Sequence, residues 1–146
     1  FTKLFSRFFY VNCYPFLRPD WNYVKKNNEI LLDGAHNTLA ALEVKKYLKN
    51  LNSKRKIVMI LGMMNNKDHN KYISYFKKIS SLTTINIPNQ PNAIKGDVLK
   101  NKLKELPNIK YKSSIEEALK SLILQDEDII LITGSLYLAG EVLNIN

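Results

Sequence analysis

The chain has 146 residues, 45% hydrophobic and 24% charged, with a formal net charge of +9. That length suits one domain with one compact core, and that balance excludes a disordered or fibrous chain. No apolar run approaches the roughly 20 residues that a membrane-spanning helix needs, so no membrane partner is expected.

The positive charge invites a nucleic-acid reading, because lysine and arginine neutralise phosphates. The pattern argues against it. All 22 basic residues except Arg7, Arg18 and Arg55 are lysines. They are spread over nearly every segment as on solvated helix faces, and no base-reading module occurs, so no nucleic-acid partner is expected. Cys13 is the only cysteine, which leaves no internal disulfide and no cysteine-based zinc site and suits a reducing, cytoplasmic compartment. The chain begins at Phe1 without an initiator methionine and reads as a piece of a longer polypeptide.

Residues 1–28 gather nine aromatic side chains, with Pro15 and Pro19 breaking any regular period. No element is predicted there, and the segment reads as an aromatic-rich linker or the remnant of a preceding domain. A signal peptide fits poorly, since Arg7 interrupts the apolar stretch and no small-residue cleavage site follows. Residues 29–146 read as the domain proper. A strand over Glu29 to Leu32 stops at Asp33-Gly34, and a helix from about Thr38 to Asn50 follows at once. Its apolar positions Ala40, Ala41, Val44, Tyr47, Leu48 and Leu51 recur at three- and four-residue steps, and Asn37 is its N-cap.

Ile57 to Leu61 is apolar without alternation, as in a parallel strand covered on both faces. The polar loop Gly62 to Asp68 and a helix over roughly His69 to Ile79 follow it. A third strand is predicted over Thr83 to Ile87, closed by Pro88 and Pro91. Leu99, Leu103 and Leu106 mark a helix that stops at Pro107, and Lys110 to Lys112 a short outer strand. Ser114 and Glu117 form a capping box at the start of the next helix. The apolar strand Ile129 to Thr133, Gly134-Ser135 and a helical pattern from Leu136 to Leu143 complete the chain. The alternation predicts an α/β fold, a Rossmann-like, mainly parallel sheet with helices on both faces.

Ligands of such sheets sit beyond the carboxyl ends of the strands, where the loops Asp33–Asn37, Gly62–Asp68, Asn86–Pro91 and Gly134–Ser135 emerge. Asp33 offers a carboxylate to ribose hydroxyls, or else braces its own turn. His36 suits a phosphate, a carboxylate or an adenine. Lys67 and Asp68 offer charge near the same mouth, or simply cap a helix. Ser135 offers a hydroxyl beside free N–H groups, or serves as a plain N-cap. Asp33, His36 and Asp68 follow no known metal-ligand spacing, so no metal site is assigned to them. Neither the G-x-x-x-x-G-K-[ST] nor the G-x-G-x-x-G phosphate motif occurs.

Three stretches, Leu32-Asp33-Gly34-Ala35-His36-Asn37, Gly62-Met63-Met64-Asn65-Asn66-Lys67-Asp68 and Thr133-Gly134-Ser135-Leu136-Tyr137-Leu138-Ala139-Gly140, occur in that order. Together they resemble the signature loops of the carboxyl-terminal domain of folylpolyglutamate synthase/dihydrofolate synthase, in the Mur ligase superfamily. The likeness covers about residues 29 to 144. It implies a Mur-ligase-type carboxyl-terminal domain of an ATP- and Mg²⁺-dependent enzyme that joins glutamate to dihydropteroate or folates through an acyl phosphate. By the same likeness, Asp33, His36 and Asn37 are ATP contacts. Arg7 resembles an upstream ATP-binding arginine, and Ser135, Lys67 and Asp68 resemble substrate contacts.

Thr38 stands where the family usually has proline. The ATP-binding central domain and the amino-terminal domain are not in this sequence, so the resemblance implies partners that bring them and a chain inactive alone. The alternatives are a non-catalytic ligand-binding or interaction module and a degraded fragment. Dihydrofolate and polyglutamate synthase activities are not separable from these residues.

Overall fold

In a computed structural model, the structure describes residues 2–5, 8–11, 28–51, 54–103, 106 and 108–145. Among the described residues, seven strands form one sheet in the order β1-β2-β3-β7-β4-β5-β6. They are β1 Thr2–Phe5, β2 Phe8–Val11, β3 Glu29–Asp33, β4 Ile57–Leu61, β5 Ser81–Thr84, β6 Ile109–Tyr111 and β7 Ile129–Thr133. Among the described residues the helices are α1 Thr38–Lys49, α2 His69–Ser74, α3 Gly96–Lys102, α4 Ile115–Ser121 and α5 Leu136–Ile145.

The strands β3, β7, β4, β5 and β6 are all parallel. The last strand of the chain therefore occupies the centre, with Leu131 level with Leu31 of β3 on one side and Met59 of β4 on the other. The unbroken apolar runs follow from that position, because successive side chains point to opposite faces and both faces are covered. Ile30, Leu32, Val58, Ile60, Ile130 and Ile132 pack with α4 and α5. Leu31, Met59, Leu61, Ile129 and Leu131 pack with α1, α2 and α3. The expected Rossmann-like α/β sheet with helices on both faces is thus the observed one.

Two elements add to what was predicted. Strands β1 and β2 form an antiparallel hairpin that extends the sheet beyond β3, with Phe8 level with Asp33 and Val11 with Ile30. Arg7 falls outside the described residues. The predicted caps form as the sequence implies: Asn37 Oδ1 accepts from the Ala40 N–H at 2.8 Å, and Ser114 Oγ accepts from the Glu117 N–H at 3.2 Å.

Several boundaries move. The second helix ends at Ser74 rather than Ile79, because from Tyr75 onward the N–H groups turn to carbonyls three residues back, Phe76 to Ile73 at 2.9 Å and Ile79 to Phe76 at 3.4 Å. These tighter turns still carry Phe76 into the core. Strand β5 starts two residues and ends three residues earlier than predicted, at Ser81–Thr84. Past it, Asn86 leaves the ladder and binds across, its Oδ1 to the Gly96 N–H and its Nδ2 to the Tyr111 hydroxyl. Helix α3 stops at Lys102, before Leu106, because Leu103 takes an extended conformation.

The central position of β7 makes its side chains the most sensitive of the core. Leu131→Ala removes a fully buried side chain and is expected to cost about 2–5 kcal/mol, read as a lowered urea midpoint with an unchanged denaturant slope.

Candidate functional site

The parallel strands end together at Asp33, Thr133 and Leu61, and the loops leaving them meet there. Asp33 is buried, and one carboxylate oxygen accepts the Ala35 N–H two residues on. That is an Asx turn, which folds the chain from strand to helix within four residues. His36, half-buried, donates from Nδ1 to the Gly34 carbonyl at 3.0 Å, so the neutral ring carries its proton there. Asn37 is exposed and caps α1.

The second loop reaches the first through the third. The Gly134 N–H donates to the Ala35 carbonyl at 3.1 Å, and the Gly62 N–H donates to the Thr133 carbonyl at 3.3 Å. Gly134 has φ +115°, and a Cβ there would run into the Gly62 carbonyl. Glycine is required at that point twice over, by backbone angle and by space. A Cβ on Gly34 would collide with the Leu136 side chain, so the first turn lies directly on the start of α5.

Tyr72 fastens this arrangement from α2. Its hydroxyl lies 2.9 Å from the Ala35 carbonyl and 2.8 Å from Thr133 Oγ1. A carbonyl only accepts, so the phenol proton goes to Ala35 and the Thr133 hydroxyl donates to the phenol oxygen. Burial pushes the phenol well above its ordinary value and the nearby Asp33 carboxylate adds to this, against a smaller opposing effect of the Thr133 bond. Tyr72 is therefore protonated at neutral pH and can donate to Ala35.

Ser135 is buried. Its Oγ accepts the Tyr137 N–H at 3.1 Å, and its carbonyl accepts the Ala139 N–H at 3.1 Å, so it starts α5. The turn Asp33–Asn37 and Ser135 thus lie side by side at the carboxyl edge of the sheet, next to the amino ends of α1 and α5. The charged pair of the middle loop has a more local setting. Asp68 is exposed and caps α2 through the Lys71 N–H at 3.1 Å, and Lys67 is half-buried. Among the described residues no three His, Cys, Asp or Glu side chains are grouped as a metal would require.

Sequence reasoning missed three contributors. Tyr72 had no role assigned within the predicted helix from His69 to Ile79, although the polar Thr133 at the end of an otherwise apolar run was a signal that something polar would meet it. His69 read as a helix start, yet it is buried, donates from Nε2 to the Met64 carbonyl at 2.9 Å, and leaves Nδ1 without a hydrogen-bond partner among the described residues. The third is an apolar rim: Leu39 on the first turn of α1, and Leu136 and Tyr137 on that of α5, are exposed by 70%, 61% and 56%.

The family model for the Mur ligase, glutamate ligase domain, matches residues 21–136. No curated protein matches the sequence. Among solved structures, the fold is similar to E. coli FolC in complex with ADP, at 21% identity and a TM-score of 0.72 over 86% of this chain and 30% of that one. It is also similar to a folylpolyglutamate synthase from Thermotoga maritima, at 23% identity and a TM-score of 0.72 over 82% of this chain and 28% of that one. A third is the bifunctional folylpolyglutamate synthase/dihydrofolate synthase of Yersinia pestis complexed with AMPPNP and Mn, at 19% identity and a TM-score of 0.67, over 80% of this chain and 28% of that one. At these identities the likeness establishes the fold. The chain spans about 30% of the length of the first of these structures.

His69 gives the site's middle loop a pH dependence. Burial, and secondarily the Lys102 charge, lowers its pKa from the ordinary 6.5, against the raising effects of the Met64 carbonyl and Asp68. The folded state then favours the neutral ring, so the unfolded chain binds the extra proton first as pH falls. The stability from this group is whole above pH 6.5 and is lost as pH falls from there through the lowered folded value. His69→Gln is expected to flatten this part of the stability-versus-pH curve, measured by urea unfolding between pH 7.5 and 5. Parallel curves for the two proteins would contradict it.

Proposed function

Because the chain belongs to the Mur ligase family as its glutamate ligase domain, we propose that it is the carboxyl-terminal part of an ATP-dependent ligase. That enzyme would add glutamate to dihydropteroate or folates through an acyl phosphate. The observation that carries this reading is the convergence of the turn Asp33–Asn37 with Gly134-Ser135 at the carboxyl edge of the sheet, joined at the Ala35 carbonyl.

In this reading Asp33, His36 and Asn37 face the nucleotide, and Arg7, outside the described residues, joins them. Ser135, Lys67 and Asp68 face the substrates. The amino ends of α1 and α5 favour anionic groups at the mouth. These residues fit the polar edge of ATP. Among the described residues they form no metal-binding cluster, and in this reading Mg²⁺ and most of ATP are held by the central domain of the ligase. When bound, MgATP supplies the phosphoryl group that activates the carboxylate. This chain's part is to orient the nucleotide and the incoming glutamate and to exclude water as the domains close.

The exposed Leu39, Leu136 and Tyr137 support a second body over the mouth, since exposed apolar side chains grouped at a polar cleft mark a contact surface. Residues 29–146 form the ligase domain in this reading, and residues 1–28 lead into it from a preceding domain. The compartment that suits it is the cytoplasm.

The test adds E. coli FolC truncated after its central domain to the pure chain and measures ADP release that depends on both glutamate and a folate. The pure chain is expected to show none and to bind ATP weakly, whereas the mixture recovers turnover that Ser135→Ala lowers about tenfold, the scale of losing one hydrogen bond to a charged group. Turnover by the chain alone would overturn the shared site. Failure of the two to associate would favour the non-catalytic module instead.

A further inference from the structure

The end of the sheet opposite Asp33 holds a cavity of about 510 Å³, between the carboxyl ends of α1 and α2. Its floor is apolar, formed by Leu48, Phe76 and Ile79 with Ile57 and Ile129, the first residues of β4 and β7. Its walls are basic. Lys45 and Lys49 come from α1, Lys77 and Lys78 from the turns after α2, and Arg55 from the approach to β4. Among the described residues no carboxylate lines it.

The charges are not equivalent. Arg55 is already engaged, with Nη1 2.9 Å from Glu29 Oε2 and Nε donating to the Glu127 carbonyl at 2.6 Å. The four lysines are exposed and, among the described residues, form no ion pair. Lys45 Nζ stands 6.0 Å from the centre of the Tyr75 ring, at the outer reach of a cation–π contact. Two helix carboxyl ends lie nearby, each worth about half a negative charge. Together they offset about one lysine of the four, and roughly three positive charges remain over an apolar floor.

We infer that this cavity binds a small amphiphilic anion, with an aromatic or branched apolar body that carries two or more carboxylate, phosphate or sulfonate groups. The volume lies in the range of small-molecule sites. The floor takes the apolar body, the lysines take the anionic groups, and the Tyr75 ring lies along one side. An inorganic anion would leave the floor wet, and a neutral hydrocarbon would leave the lysines without a partner. Neither satisfies both halves. This site lies at the other end of the sheet from the three signature loops and does not depend on what they do.

The test uses the intact chain, with naphthalene disulfonate as the amphiphilic dianion and backbone amide shifts as the readout. Saturable shifts are expected at Lys45, Lys49 and residues 74–79. Binding should weaken about tenfold in the double variant Lys45→Glu, Lys77→Glu and return in Lys45→Arg, Lys77→Arg. Inorganic phosphate and neutral naphthalene methanol should each bind about tenfold more weakly than the dianion. Shifts centred on residues 33–37 and 134–137, or equal binding by the Glu double variant, would overturn the proposal. Because the substituted side chains are exposed, the variants are expected to unfold at the same urea concentration as the parent, which separates a lost site from a lost fold.

Discussion

One hydroxyl holds the carboxyl edge of this sheet together. Tyr72 reaches from α2 to the Ala35 carbonyl and receives the Thr133 hydroxyl. It thereby links the strand-to-helix turn of β3, the end of β7 and the helix that follows β4. The bond is buried, where a hydrogen bond is stronger and an unpaired partner costs more than at the surface. The same Ala35 carbonyl takes the Gly134 N–H, and the Thr133 carbonyl takes the Gly62 N–H. Each loop is therefore held by a neighbour rather than by its own chain alone. The positions of Asp33 and Ser135 follow from this lattice of backbone and hydroxyl contacts.

The fold places different chemistry at its two ends. Parallel strands send every helix the same way, so amino ends of helices gather beyond the carboxyl ends of the strands and carboxyl ends gather at the other edge. The first edge carries the amino ends of α1 and α5, a buried carboxylate and the exposed apolar side chains of Leu39, Leu136 and Tyr137, features that suit a ligand held against a second domain. The second edge carries lysines in excess of what two helix ends neutralise, over Phe76 and the first residues of β4 and β7. The core between them is two apolar layers, one on each face of the same five parallel strands.

The strands were legible because burial on both faces removes the polar half of the usual alternation, and Ile57–Leu61 and Ile129–Thr133 show this without ambiguity. The caps at Asn37 and Ser114 were legible because they depend only on residues three apart. What escaped was non-local or depended on backbone angle. Nothing near Tyr75 announces that α2 stops there, since its apolar positions suit a longer helix and the tighter turns serve Phe76 equally well. Strand β5 ended early because Asn86 found partners in Gly96 and Tyr111, both distant in sequence. Asp33, His36, Asn37 and Ser135 lie at or just past the ends of β3 and β7, but the residue that braces their loops, Tyr72, lies outside every motif. The lysine-walled cavity draws on residues some thirty positions apart that periodicity assigns to separate solvent faces.

If the loops form one unit, they should open as one. Amide hydrogen exchange at Gly62 and Gly134, whose N–H groups lie in different loops, measures this directly when the intact chain is compared with Tyr72→Phe. The account predicts that the variant, destabilised by about 1–3 kcal/mol for the buried bonds it loses, exchanges faster at both amides together, while the amides of β6, remote from the bridge, change only with global stability. Faster exchange at Gly134 alone, or unchanged protection at both, would contradict it.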